Sequence, residues 1–466
     1  MPVARSDALV FFGATGDLAH KQIFPALQAM IRRGNLDVPI IGVAKSGWNL
    51  DQLKARARDS LEKNGPLDPA AYAKLCSVLS YIDGDYRDPS TFTELHKSLG
   101  RAKRPLYYLA IPPSLFTTVV DGLAKSDSLK DARVVVEKPF GRDLASAREL
   151  NRTLHRSFPE QSIFRIDHYL GKEPIQNLIY FRFGNPQIEA SWNKKYIESV
   201  QITMAENFGV AGRGKLYDEV GAIRDVVQNH MLKVIACLAM ESPASHDHEA
   251  RRDERGRVSQ MIRTLKPSDV VRGQFRGYRR EPGVAADSQV ETFAALRFQI
   301  DNERWDQVPF YVRVGKRLPI TTTELMVRYK RPVRPVLDET SQSLDCYFRF
   351  RISPEVVIAL GTKVKKPGEP MTGERIELIA HYQPPNEMEP YERLLGDAAD
   401  GDATLFARED SVEAAWRVVD PVLGSICPLY EYEPNTWGPA EADRVLLPQG
   451  GWHTPRQDAQ DEGASS

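Results

Sequence analysis

Two stretches of this sequence carry residue types suited to moving a proton and gripping an anion. The first reads Arg165-Ile166-Asp167-His168-Tyr169-Leu170-Gly171-Lys172-Glu173, the second Ala222-Ile223-Arg224-Asp225-Val226-Val227-Gln228-Asn229-His230. Oxidising an alcohol needs a base for the hydroxyl proton while hydride leaves the carbon. Neutral imidazole suits that task, with an ordinary pKa of about 6.5. A carboxylate on the other ring nitrogen fixes the tautomer and stabilises the imidazolium. His168, Tyr169 and Lys172 lie close in sequence and form a set able to hold a phosphate. A helix starting near residue 169 would place Lys172 on its first turn, at the end that favours anions. Glu137-Lys138-Pro139 closes an apolar run. A doubly wound fold places its ligand crevice at such strand ends, which sets Lys138 apart from surface lysines.

Plainer readings stand beside these. A single histidine in a helix, as His230 is, more often serves structure than catalysis. Asp225 and His230 are five residues apart, a spacing that does not stack on one face of an α-helix. An acid partner for the histidine is therefore expected from elsewhere in the chain. His246-Asp247-His248 sits in a charged stretch without helical pairing, so it reads as a solvated loop, and no metal site is expected. Lys363 to Lys366 reads as a solvated turn.

A third stretch, Gly13-Ala14-Thr15-Gly16-Asp17-Leu18-Ala19, follows an apolar run and opens a helical pattern. Glycines permit a tight turn and let backbone approach a diphosphate, and the helix N-terminus offers its amides to that anion. An ordinary strand-to-helix turn is the plainer alternative. Folds that bind NAD often carry an acid about 20 residues further on, for the ribose hydroxyls. Here the next strand ends Ile41-Gly42-Val43-Ala44-Lys45-Ser46, with a lysine and no carboxylate. Lys45 favours a 2′-phosphate, hence NADP; a solvated surface lysine is the alternative.

These residues need elements to hold them. Apolar runs at 8–12, 39–44, 106–111 and 133–136 alternate with helical patterns at 17–33, 50–63, from about 113, and at 143–155. In the first helix Leu18, Ile23, Leu27, Met30 and Ile31 share a broad face. Such alternation implies parallel strands with crossover helices, a doubly wound α/β domain. After about residue 170 a long helix over 222–240 is followed or preceded by alternating segments at 199–205, 292–300, 309–314, 347–352, 356–360 and 376–381. That pattern predicts a larger α+β domain with a mostly antiparallel sheet. The expected organisation is a Rossmann-like nucleotide domain over 1–170, a substrate and oligomerisation domain over 171–456, and a disordered tail over 457–466.

Composition narrows the function classes. The 466 residues carry a net charge of −1, which argues against a general nucleic-acid binder. No run is long and apolar enough for a membrane helix, and no signal peptide is apparent. Cys76, Cys237, Cys346 and Cys427 are scattered, as in a reduced cytoplasmic enzyme.

The motifs together resemble the glucose-6-phosphate dehydrogenase family. The resemblance rests on the glycine turn, Glu137-Lys138-Pro139-Phe140-Gly141, the 165–173 run, and Glu206-Asn207-Phe208-Gly209. It rests also on Gly212-Arg213-Gly214 with Tyr217-Asp218, the 223–230 run, Asn302-Glu303-Arg304-Trp305-Asp306, Val314-Gly315-Lys316-Arg317-Leu318 and Trp437-Gly438-Pro439. By that resemblance the chain is expected to oxidise D-glucose 6-phosphate to 6-phospho-D-glucono-1,5-lactone with NADP, the first step of the oxidative pentose phosphate pathway. The resemblance makes His230 the general base and Asp167 its paired carboxylate. It gives the phosphate to His168, Tyr169 and Lys172, the sugar to Glu206, Asp225 and Lys316, and assigns Lys138 to both substrate and nicotinamide. Gly13, Ala14, Thr15, Gly16, Asp17, Leu18, Lys45 and Pro112 fall in its cofactor segments. Lys45 stands where the family often has arginine, and His20-Lys21-Gln22 is less basic than usual, which leaves NAD use open. Relatives form dimers or tetramers, so a homo-oligomer is expected. Two alternatives remain: a sugar oxidoreductase resembling the glucose–fructose oxidoreductase family, and a non-catalytic sugar-phosphate-binding relative.

Overall fold

The computed structural model describes residues 4–210, 212–245, 247–331, 346–382, 388–446, 448 and 450–456. His246 and the expected tail at 457–466 lie outside them. The chain divides into two compact units. The first comprises Met1–Glu173, Pro243–Gly256 and Asn386–Glu413; the second comprises Pro174–Ser242, Arg257–Pro385 and Ala414–Ser466.

The first unit holds six parallel strands, β1 Ala8–Phe12, β2 Ile40–Ala44, β3 Leu79–Asp83, β4 Pro105–Leu109, β5 Arg133–Val136 and β6 Ile163–Arg165. Their order is β3-β2-β1-β4-β5-β6, the doubly wound topology the alternation predicts. Every residue of β1, β2, β4 and β5 is buried. This is why those strands read as apolar runs, with Arg133 at the start of β5 the one charge: a parallel sheet is covered on both faces. Phe11, Phe24, Leu27 and Leu53 form one core with Leu394, Leu395 and Phe406 from the late segment of the chain. The strand ends are fixed by buried charge. Arg165, fully buried, holds Glu160 at 2.7 and 3.0 Å and Asn151 at 3.0 Å, anchoring β6 just before Asp167.

Among the described residues the second unit holds nine strands: β7 Ile197–Ala205, β8 Val270–Phe275, β9 Phe293–Phe298, β10 Phe310–Gly315, β11 Thr322–Tyr329, β12 Tyr347–Ser353, β13 Val356–Lys365, β14 Gly373–Tyr382 and β15 Leu429–Tyr432. The order is β14-β13-β12-β11-β7-β10-β9-β8-β15. Only the pairs β7–β10 and β8–β15 are parallel, so the sheet is mostly antiparallel, as expected. Lys363 to Lys365 belong to β13 rather than to a turn: the charges sit on the solvated end of a strand paired with β14.

Candidate active site

In the first unit, every nucleotide- and substrate-site residue read from the sequence lies beyond the carboxyl end of a strand. The glycine turn follows β1, Lys45 follows β2, Pro112 follows β4, Lys138 follows β5, and Asp167 to Lys172 follow β6. Parallel strands point their carboxyl ends to one edge, so residues as far apart in the chain as Gly13 and Lys172 are lined along it.

The glycine turn is shaped by close approach. Gly13 has φ +82°, and a Cβ there would stand 2.2 Å from the carbonyl oxygen of Ala110 beyond β4. The amide of Gly13 lies 2.8 Å from the Val43 carbonyl and 2.9 Å from the Tyr86 hydroxyl. Gly16 donates to the Gly13 carbonyl at 3.0 Å, closing the turn, and helix begins at Asp17. The first amides of a helix have no acceptor within it and attract an anion. With no side chain between the β1 and β4 ends, this cradle fits the diphosphate of a dinucleotide.

At the β2 end the structure adds what the local sequence lacks. Lys45 is exposed and its ammonium sits 2.8 Å from Asp85. Asp83, paired in register with Ala44, accepts from the amides of Ser46 and Gly47, both at 2.9 Å. Carboxylates are therefore present at this end, supplied by the neighbouring strand and the loop after it.

Lys138 is half-buried and follows Glu137, which is interior. Tyr108 donates to the Glu137 carboxylate, and Tyr391 from the late segment hydrogen-bonds it too. Burial pushes the Glu137 carboxyl above its ordinary pKa, opposed by those two hydroxyls. The lysine thus leaves the sheet from a pinned position.

Asp167 is fully buried, and its Oδ1 accepts from the Tyr169 amide at 2.9 Å. Its carbonyl accepts from Leu170 at 3.0 Å. Residues 168–171 form a turn, and the helix begins at Glu173, not near 169. The aspartate cap at 167 closes the turn first and delays the helix. Lys172 keeps its place near the helix start, and its ammonium lies 4.3 Å from the centre of the Tyr169 ring. His168 and Tyr169 rings are 5.4 Å apart between centroids. Histidine, phenol and ammonium are thus gathered on one turn, a donor set suited to a phosphate.

Away from this edge, His155, Glu160 and Glu409 bring ligand-type atoms within 4.8 Å. Arg165 and the Glu409 amide already occupy Glu160. Arg165 on Glu160 and His155 on Glu409 make this cluster a set of ion pairs that tie the late segment to the end of β6.

The second unit gathers its own set. β7 and β10 are parallel neighbours with Ala205 opposite Gly315, so the next residue of each, Glu206 and Lys316, emerge side by side. Their ion pair is 2.6 Å. The Lys316 ammonium lies 4.9 Å from the Tyr217 ring centre and 5.2 Å from that of Phe208. Burial pushes the Tyr217 phenol well above its ordinary pKa, and Asp225, Glu291 and Glu206 push it the same way. Glu206, Lys316 and Tyr217 therefore lie together, with Asp225 near enough to act on the phenol.

His230 is buried on the helical stretch that the sequence placed at 222–240. Gly221, at φ +71°, breaks the preceding helix, and a Cβ there would lie 2.6 Å from the Glu291 carboxylate. That carboxylate caps the new helix through the Ile223 amide at 3.0 Å. From Ile223 to Met231 the winding is π, not α. In a π-helix residues bond five apart, so the α-helical argument that separates Asp225 from His230 does not apply. The wider turn is a local deviation of the kind found at functional sites, and the sequence period carries no sign of it.

Tyr86, Asp85, Tyr391 and Glu291 were not singled out from the sequence. Each acts on a residue remote in the chain, and no spacing rule joins 13 to 86 or 137 to 391.

Comparison with known proteins gives the family. Residues 10–177 match the family model described as glucose-6-phosphate dehydrogenase, NAD binding domain, and residues 179–453 match its C-terminal domain. The chain is 41% identical over 466 residues to glucose-6-phosphate 1-dehydrogenase 1 of Mycobacterium tuberculosis, covering 97% of each. It superimposes on the crystal structure of glucose-6-phosphate 1-dehydrogenase from Mycobacterium avium with a TM-score of 0.92 and 42% identity, covering 98% of this chain and 100% of that one. A glucose-6-phosphate dehydrogenase solved in complex with its substrate glucose-6-phosphate gives a TM-score of 0.88 at 35% identity, covering 97% and 100%.

Proposed function

The chain belongs to the glucose-6-phosphate dehydrogenase family, and on that premise we propose that it oxidises D-glucose 6-phosphate at C1 to 6-phospho-D-glucono-1,5-lactone, with NADP as the preferred oxidant. This is the opening reaction of the oxidative pentose phosphate pathway. The observation that carries it is the single edge of the first sheet along which a diphosphate cradle, Lys138 and the Asp167–Lys172 turn all lie.

When bound, the nicotinamide nucleotide supplies the hydride acceptor. The chain's own residues do the rest. His168, Tyr169 and Lys172 bind the substrate phosphate, and binding at that remote group orients C1. Neutral His230 takes the C1 hydroxyl proton, while Asp167 holds the imidazole in the right tautomer and stabilises its cationic form. Lys138 positions the sugar, and Glu206, Asp225 and Lys316 hold its hydroxyls. Gly13 to Leu18, Lys45 and Pro112 form the nucleotide crevice. We assign the nucleotide to 1–170 and substrate binding with assembly to 171–456.

We also take the working form to be a homodimer or homotetramer: Leu378 and Tyr382, on one face of the edge strand β14, are exposed apolar residues. Among the described residues no helix is long and apolar enough to cross a membrane. Scattered cysteines favour the cytoplasm.

The test is a steady-state assay following the reduced nicotinamide, with glucose 6-phosphate against glucose and NADP against NAD. Turnover that needs the 6-phosphate supports the reading; equal use of glucose overturns the assignment of the phosphate to His168, Tyr169 and Lys172. His230→Asn should abolish turnover while leaving substrate binding within a few-fold. Near-full turnover in that variant removes His230 as the base.

A further inference from the structure

We propose that Asp85 is a specificity-determining residue for the nucleotide: its carboxylate occupies Lys45 and so holds down the preference for a 2′-phosphate over a 2′-hydroxyl. The inference rests on the nucleotide crevice assigned above.

Asp85 is fixed by backbone, not by chance contact. Its carbonyl accepts from the Asp88 amide at 2.9 Å and from the Thr91 hydroxyl at 2.9 Å. Its Oδ1 accepts from the Arg87 amide at 2.9 Å, which leaves Oδ2 directed to Lys45 at 2.8 Å. The next residue, Tyr86, touches the phosphate turn itself. Its hydroxyl lies 2.9 Å from the Gly13 amide and donates to the Val43 carbonyl at 3.0 Å. Residue 85 is thus bolted to the same crevice whose floor is Gly13. The other acid at this end, Asp83, takes the Ser46 and Gly47 amides and the Tyr81 hydroxyl at 3.0 Å on its Oδ1, which ties down the loop after β2, and it makes no contact with Lys45 like that of Asp85.

The chemistry follows from charge. A phosphate monoester carries about −1.5 to −2 near neutral pH. Lys45 alone would attract it; Lys45 paired with Asp85 presents no net charge and a carboxylate that repels it. A ribose 2′-hydroxyl meets the opposite situation. It is a donor, and a carboxylate at the second strand is the usual acceptor for it. One carboxylate therefore weakens the phosphorylated nucleotide and favours the other. Both nucleotides become usable, and the lysine's lack of a planar fork removes the geometric grip that would override the repulsion.

Asp85→Asn keeps the bond from the Arg87 amide and removes the charge. Binding is measured by titration calorimetry on the full-length protein with adenosine 2′,5′-bisphosphate, NADP and NAD, alongside kcat/KM for both nucleotides. Affinity for the two 2′-phosphate ligands should rise roughly three- to tenfold at low salt. Affinity for NAD should fall or stay level, and KM for glucose 6-phosphate should not move. Asp85→Glu, which retains the charge, should keep the wild-type ratio. An unchanged ratio in Asp85→Asn, or equal loss for all three ligands, overturns the proposal. If wild type fails to oxidise glucose 6-phosphate yet the binding ratio shifts, the substrate reading falls and this inference stands. If wild type turns over normally and the ratio is fixed, only this inference falls.

Discussion

Replacing Gly13 by alanine tests the phosphate cradle against a matched control in the same unit. Two penalties apply at Gly13. The left-handed φ of +82° costs an L-residue about 1–2 kcal/mol. The new Cβ would also stand 2.2 Å from the Ala110 carbonyl oxygen, which is backbone and must shift. Overpacking of that kind costs roughly 1–3 kcal/mol. Gly34 has φ +75° and nothing within 4 Å of its would-be Cβ, so alanine there meets the first penalty alone. The difference between the variants isolates the close approach at about 2 kcal/mol. For a unit of this size that is a Tm gap of roughly 4–8 °C. Tm is read by differential scanning calorimetry, and NADP affinity by fluorescence titration. Gly13→Ala should lose more than about tenfold in affinity, because the turn that aims the helix amides moves with the backbone. Gly34→Ala should stay near wild type. Equal Tm losses would refute the close approach, and a destabilised Gly13→Ala that binds NADP normally would refute the cradle.

Three further outcomes follow from named contacts. Burial, with Asp402 and Asp400 nearby, raises the Asp397 carboxyl to about 7. The native state therefore holds that proton longer than the unfolded chain does, and stability is lost as pH rises from about 4 to about 7. Asp397→Asn should raise Tm at pH 8, by a few kcal/mol of stability at most, and little at pH 4; an equal effect at both pH values refutes the shift. Glu324 is buried between Arg349 at 3.1 Å and Arg351 at 2.9 Å, with His453 beside it, and despite burial its carboxyl is lowered by those partners. Its contribution is present above about pH 4.5 and lost as pH falls through the depressed value. Glu324→Gln should cost about 3–5 kcal/mol in denaturant unfolding at neutral pH, with the gap closing in acid. Lys316→Met should leave Glu206 uncompensated beside other acids and raise KM for glucose 6-phosphate at least tenfold, while NADP binding to the folded variant stays level; unchanged KM removes Lys316 from the sugar site.

What could be read without coordinates, and what could not, divides on how charge is buried. β1, β2, β4 and β5 read as apolar runs because both their faces are covered, with Arg133 at the start of β5 the exception, and each is followed within three residues by a glycine, lysine or proline that marks the edge. The half of the candidate site on that edge was legible for the same reason: each proposed residue lies on the segment that follows a strand that announces itself. The strands β8 and β11 hide theirs. Arg272 and Glu324 interrupt the apolar pattern, yet both are buried, because each finds its counter-charge elsewhere in the second unit: Arg272 on Glu291, and Glu324 on Arg349 and Arg351. A paired interior ion looks in sequence like a surface residue, so the strand is lost to pattern reading.

The same pairing governs the functional residues that sequence reading passed over. Glu291 neutralises Arg272, caps Ile223 and crowds Gly221, three tasks for residues at least 19 positions away or on another element. The helix it caps then runs as a π-helix through His230, and hydrophobic spacing alone cannot report that change of pitch. Spacing arguments assume the regular period and therefore fail where the chain departs from it. At His230 the departure coincides with the residue we propose as the base. A variant that restored α-helical winding there, by deleting one residue between Asp225 and His230, should keep the fold of the second unit and lose turnover. Retained activity would show that the wide turn is incidental to where the imidazole points.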